Sequence, residues 1–136
     1  MPNNCEARSF TWDSLPLDRP MENLTRRRVI GEKAMISHVT LEKGCFVPTH
    51  AHENEQFVCV LEGCLRFRLG PQESQNRREV VITSGDILHL PALVPHEATA
   101  VEHSVVLDIF SPPSQTTGID RVTPPPTPAR SANALI

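Results

Sequence analysis

The 136-residue chain lacks any CxxC pair: its four cysteines, Cys5, Cys45, Cys59 and Cys64, are scattered. No signal peptide is expected, because the N-terminal residues MPNNCEARSF show no basic region followed by an apolar core. Nowhere is there an apolar run of the ~20 residues that a membrane-spanning helix needs. These absences argue against secretion and against a membrane, and lead us to expect a cytoplasmic, reducing compartment with free thiols. Cys59 and Cys64 flank the Glu62-Gly63 turn and would approach across a hairpin, but small buried hydrophobes are the simpler reading. Without a secretory route the Asn23-Leu24-Thr25 sequon has no use. Positive charge is not in excess either: 13 Lys and Arg face 16 Asp and Glu, for a net charge of -3, so nothing global points to nucleic acid. The one basic run, Arg26-Arg27-Arg28, reads as a solvated strand face or as inter-subunit pairing partners in preference to a phosphate site. Nor is there length for two ordinary domains; 136 residues build one core.

What is present is concentrated in residues 44–63, GCFVPTHAHENEQFVCVLEG. His50 and His52 lie two apart in a segment of strand-like composition, and residues two apart on a strand project to one face. Gln56 stands at even spacing from both, so on a continuous or lightly bulged strand its side-chain oxygen points the same way. A second segment, residues 85–96 (GDILHLPALVPH), reads as a strand that meets the first across a sheet, and it ends in His96, a fourth ligand.

Residues 1–28 read as an arm: Phe10, Trp12, Leu15, Leu17, Met21 and Leu24 are apolar anchors scattered among Pro16 and Pro20. Strand signals begin at Val29 and recur at short spacing to Phe110. The run from Phe57 to Leu61 is continuously apolar, as in a strand covered on both sides. Leu65, Phe67 and Leu69 alternate with Arg66 and Arg68, as in a hairpin partner with one wet face. In the segment closing the core, Val105, Leu107 and Ile109 share one face, while Ser104, Val106, Asp108 and Phe110 share the other. Many short strands joined by turns imply an all-β barrel or double-sheet jelly roll over residues 29–112. Six of the thirteen prolines fall in residues 112–136, so residues 113–136 read as an extended, flexible tail; an inert tail is preferred to a ligand for an aromatic groove.

Three histidines and an amide suit one divalent first-row ion per chain: zinc, nickel, manganese and iron(II) all fit. With no carboxylate ligand the ion keeps a full formal charge of about +2 and is the stronger Lewis acid for a substrate hydroxyl or carbonyl. The alternative is a site that has decayed. Asp108, inside the apolar strand VVLDIF, is costly to bury unless it faces the cavity, where it becomes a candidate general acid or base. A carboxylate paired at the rim is the structural alternative. His38 is read as lining the pocket or lying at the surface, not as a metal ligand.

The two segments resemble the paired motifs of the cupin superfamily. Gly44, His50, His52, Gln56 and Gly63 fall on the first motif, with Gln56 where an acid is usual. Gly85, Pro91 and His96 fall on the second, with Leu93 in place of a glycine and Ala100 in place of an asparagine. The resemblance implies the cupin double-stranded β-helix, a jelly-roll barrel, and a homodimer in which the partner covers the arm and one sheet. HAHENEQ, VPHEA and VVLDIFSPP are similar more narrowly to the small pectin-degradation cupins of the KdgF type. That likeness implies His50, His52, Gln56 and His96 as metal ligands, Asp108 as the catalytic acid or base, Phe110 as a pocket wall, and ring opening of a 4,5-unsaturated uronate as the reaction. Ser114 stands where that family has an arginine suited to the uronate carboxylate. An Fe(II)-dependent dioxygenase and a metal-containing ligand-binding or sensor protein are the alternatives.

Overall fold

Two-residue alternation of apolar side chains folds into ten strands: β1 (Asp18–Met21), β2 (Leu24–Ile30), β3 (Met35–Leu41), β4 (Phe46–His50), β5 (Glu55–Glu62), β6 (Cys64–Leu69), β7 (Arg78–Thr83), β8 (Ile87–Leu90), β9 (His96–Ala100) and β10 (Ser104–Ser111). The computed structural model describes residues 6–119, and the only helical element among them is a 3-10 turn at Trp12–Ser14. Every strand pairing is antiparallel. One sheet has the order β1-β2-β3-β10-β5-β8 and the other β4-β9-β6-β7, the double-sheet β-barrel expected from the sequence.

The period of two decides what faces inward. Met35, Ser37, Val39 and Leu41 of β3 are buried, and Ser104, Val106 and Phe110 mark the same inner face on β10. Val39, Val58 and Val106 from one sheet meet Leu65, Phe67 and Ala98 from the other in a continuous core. Burial of each large aliphatic there contributes about 1.5–3 kcal/mol. At the β5–β6 turn Gly63 has φ +104, and a Cβ there would overlap the Ser104 side chain and the His103 carbonyl. The Ser104 hydroxyl accepts the Cys64 N–H at 3.0 Å, locking the turn against β10.

Four expectations change. The first strands lie inside the segment read as an arm: β1 begins at Asp18 and β2 at Leu24, not near Val29. Pro20 concealed β1, which tolerates it because β1 is a sheet edge. The arginine run is not a uniform solvated face but is bonded within the chain. Arg26 is buried and forks onto the Asp18 carboxylate (3.1 and 3.3 Å), and Arg28 approaches the same carboxylate at 3.8 Å. Arg27, on the other face, donates to the carbonyls of Trp12, Asp13 and Leu15 and ties residues 12–15 to the sheet.

β5 is covered on one side only within the chain: Val58 and Val60 are buried, while Phe57 and Leu61 are 38% and 47% exposed. Lastly, the start of the tail is packed, since Thr117 is buried and Ile119 lies against the core. The tail from residue 120 onward, like Cys5, lies outside the described residues. Cys45, Cys59 and Cys64 are free thiols; burial, with the charge of Glu42, pushes Cys45 up to about 11, which makes it an inert core group.

Candidate metal centre

β4 ends at His50, His52 follows in the connection, and β5 carries Gln56 on its inner face. The second segment is not one strand. It breaks at Pro91–Leu93, so that β8 pairs with β5 in the larger sheet while β9 pairs with β4 in the smaller. His96, the first residue of β9, is thereby set opposite His50. Leu93 makes that break with φ +68, a left-handed conformation that costs a leucine about 1 kcal/mol relative to glycine. Its N–H donates to the His52 carbonyl at 2.8 Å, which binds the turn to the other half of the site.

The ring centroids of His50 and His96 are 4.3 Å apart, those of His52 and His96 5.1 Å, and those of His50 and His52 5.6 Å. One ligand atom from each lies within 4.8 Å of the others, close enough for one ion. Each ring has its Nδ1 on a main-chain carbonyl two residues away: His50 on Pro48 (2.8 Å), His52 on Asn54 (3.0 Å) and His96 on Val94 (2.9 Å). A carbonyl only accepts, so Nδ1 carries the proton and Nε2 is left as the lone-pair donor. Burial lowers the His52 pKa. It pushes His96 down to about 3, with the neighbouring charge of His50 adding to the effect, so these rings are neutral, as ligands must be.

Gln56 is buried between two groups. Its Nε2 donates to Asp108 Oδ1 at 3.2 Å, which turns its Oε1 toward His52 Nε2 at 3.1 Å. Two acceptors therefore face each other, an arrangement that calls for a cation between them. His96 Nε2 is buried without a hydrogen-bond partner, at a cost of about 1–3 kcal/mol. Both features fit a metal held by His50, His52, Gln56 and His96.

Asp108 pairs in register with Ser37 and Val58 on the inner face and lines the cavity beside His50, Gln56 and His96. Burial pushes its carboxyl up to about 7, opposed by the Gln56 hydrogen bond and by the charge of Arg26. Phe110 also lines the cavity, its ring edge-on to His52 at 5.7 Å. His38 does not belong to this group. It pairs with Arg27 and Leu107 on the outer face of the sheet, and its ring lies 5.1 Å from that of Trp12 of the arm, tilted by 44°. The side chains of His38 and Asp108 lie on opposite faces because their positions are out of phase by one residue in register.

Sequence reasoning missed Arg26, Thr117 and Ile119. For Arg26 a signal existed: it is two residues from Leu24, on the inward phase of β2. For Thr117 and Ile119, after two prolines, none did.

A family model described as "Cupin domain" matches residues 37–110. No curated protein matches the sequence. Among solved structures, an RmlC-like cupin from Shewanella frigidimarina NCIMB 400 is 24% identical with a TM-score of 0.70, over 81% of this chain and 94% of that one. KdgF from Halomonas sp. is 23% identical with a TM-score of 0.70, over 81% and 97%. An oxalate decarboxylase from Lactobacillus farciminis is 18% identical with a TM-score of 0.67, over 80% of this chain but 34% of that one. At these identities the likeness is one of fold.

Proposed function

The chain belongs to the cupin domain family, and from that premise we propose that it is a metal-dependent enzyme that isomerises or ring-opens an unsaturated uronate-like sugar acid. The observation that supports this most is the Gln56 side chain, which joins the histidine cluster at one end to a proton carrier, Asp108, at the other. A divalent ion held by His50, His52, Gln56 and His96 would supply Lewis acidity toward a substrate hydroxyl or carbonyl oxygen. Gln56 holds Asp108 beside the cluster through its amide hydrogen bond, and a carboxyl whose pKa lies near 7 both accepts and returns a proton at neutral pH. Phe110 walls the pocket beside His52. The resemblance of the motifs around His50, His96 and Asp108 to those of the KdgF-type cupins is what points to a uronate as substrate, and the fold shared with KdgF from Halomonas sp. is compatible with it.

The test is elemental analysis of protein purified without a nickel column, followed by anaerobic turnover of 4,5-unsaturated uronates with the metal found. Ring opening consumes no oxygen and is expected to proceed. The apolar floor of the cavity, with Val39, Leu65 and Phe67, favours one other reading, an Fe(II)-dependent dioxygenase with a less polar substrate. Oxygen uptake without anaerobic activity would establish that reading and overturn ours.

We also propose a homodimer. Phe57, Leu61 and Ile87 are 38%, 47% and 65% exposed and lie on the outer face of β5 and β8, beside the half-buried Leu107 and Ile109 of β10. A stripe of this kind is an interaction surface, and β5 is apolar enough to be covered on both sides. Sedimentation is expected to give about 30 kDa, twice the 15.1 kDa chain, and Leu61→Glu to reduce it to a monomer. A monomer at micromolar concentration in the unmodified protein would refute the dimer.

A further inference from the structure

Residues 114–119, SQTTGI, follow two prolines and have the composition of a loop, yet Thr117 and Ile119 line the cavity together with His50 and His96. Ser114 folds the segment on itself, its hydroxyl donating to the Thr116 carbonyl at 2.6 Å and accepting the Thr116 N–H at 3.3 Å. Arg28 Nη1 donates to the Gln115 carbonyl at 2.9 Å, and Asn54 Nδ2 donates to the Pro112 carbonyl, so the segment is anchored to β2 and to the connection that bears His52. Beyond these anchors Thr117 is buried, and Ile119 reaches the core cluster; both line the cavity together with His50, His96 and Asp108.

Between them Gly118 sits at φ +91, where side chains are rarely accommodated, and a Cβ on it would overlap the His50 ring. The backbone at residue 118 therefore lies directly on a ligand of the metal site. What remains inside is about 50 Å³, room for one or two waters and far below the ~300–1,000 Å³ of pockets that hold drug-sized ligands.

We propose that residues 114–119 form a strap that sets the size of ligand able to reach the histidine cluster: seated, it admits only a small ion or water, and it withdraws for a molecule as large as a sugar acid. Gly118 is the seat, Ile119 the apolar anchor and Ser114 the fold at its base. The inference rests on the reading above for what lies beneath the strap, but the contact between Gly118 and His50 is independent of metal.

The test is acylation of metal-free full-length protein by diethyl pyrocarbonate, with modification of each histidine followed by peptide mass spectrometry. His103, whose side chain is 50% exposed and lies off the β5–β8 face, serves as the internal standard. In the unmodified protein His50 is expected to react much more slowly than His103. Gly118→Val cannot seat on the ring and is expected to raise the His50 rate about tenfold or more, with His103 unchanged. Ile119→Ser, which leaves the backbone conformation at residue 118 free to form, is expected to act in the same direction and serves if Gly118→Val fails to fold. In metal-loaded protein both variants are expected to release metal to a chelator about tenfold faster. Equal His50 rates in the unmodified protein and both variants would overturn the strap. Altered His50 protection in a protein that binds no metal would support the strap and remove the metal-site reading instead.

Discussion

His96→Ala is expected to lose its metal, with affinity falling by more than about 100-fold, because even residues that only support ligands are worth 10–100-fold. His96 is the most informative of the four positions. Its Nε2 is buried with no hydrogen-bond partner within the protein, and an ion bound there compensates that atom directly. Added metal is therefore expected to raise the melting temperature of the unmodified protein, by the equivalent of about 2.7 kcal/mol at a hundred times its dissociation constant, and to leave His96→Ala unmoved. His50→Ala and His52→Ala are expected to behave alike. Undiminished metal content in all three variants, measured by elemental analysis, would refute the site.

Asp108→Asn separates chemistry from architecture. The amide keeps the shape of the carboxyl and leaves every metal ligand in place, but it does not accept a proton, so turnover is expected to fall on the order of 100-fold or more with metal content unchanged. Stability is expected to move the other way. The folded-state pKa of Asp108 is raised, so the protonated form is favoured by folding; in metal-free protein its contribution is complete below the ordinary value of 3.8 and is lost as pH rises through about 7. Above that range the buried charge destabilises the unmodified protein by on the order of a few kcal/mol, and Asp108→Asn is expected to melt higher at pH 8 while matching it near pH 4. If Asp108→Asn retained full turnover and melted lower at pH 8, the residue would be a structural brace.

Much of this site was legible because strands repeat every two residues. The phase of Asp108 with Val106 and Phe110 is a local property of a strand, and all three line the cavity with Gln56. His50, His52 and Gln56 do not share one strand, because β4 ends at His50 and β5 begins at Glu55; it is the connection between the two sheets that brings His52 to within 3.1 Å of Gln56. His38 illustrates the limit. Its strand was recognisable, but which phase of β3 faces inward is settled by pairing with β2 and β10, partners distant in sequence. The same holds for β1, whose Pro20 is tolerable only at an edge, and edges are defined by the finished sheet. Residues 114–119 carry no periodicity at all. Thr117 and Ile119 are buried because of where the barrel opens, and a loop composition has no means of recording that.

The three imidazoles are each steered by a main-chain carbonyl, at Pro48, Asn54 and Val94. Many metal-bound histidines lean instead on a carboxylate side chain, which a single substitution can remove. A carbonyl is supplied by every amino acid. The orientation of these rings is thus insulated from mutation at the supporting positions, provided the local backbone path is kept. A lineage could vary residues 48, 54 and 94 while the ligand geometry stayed the same, and new substrates could be explored around a centre whose posture is inherited with the fold.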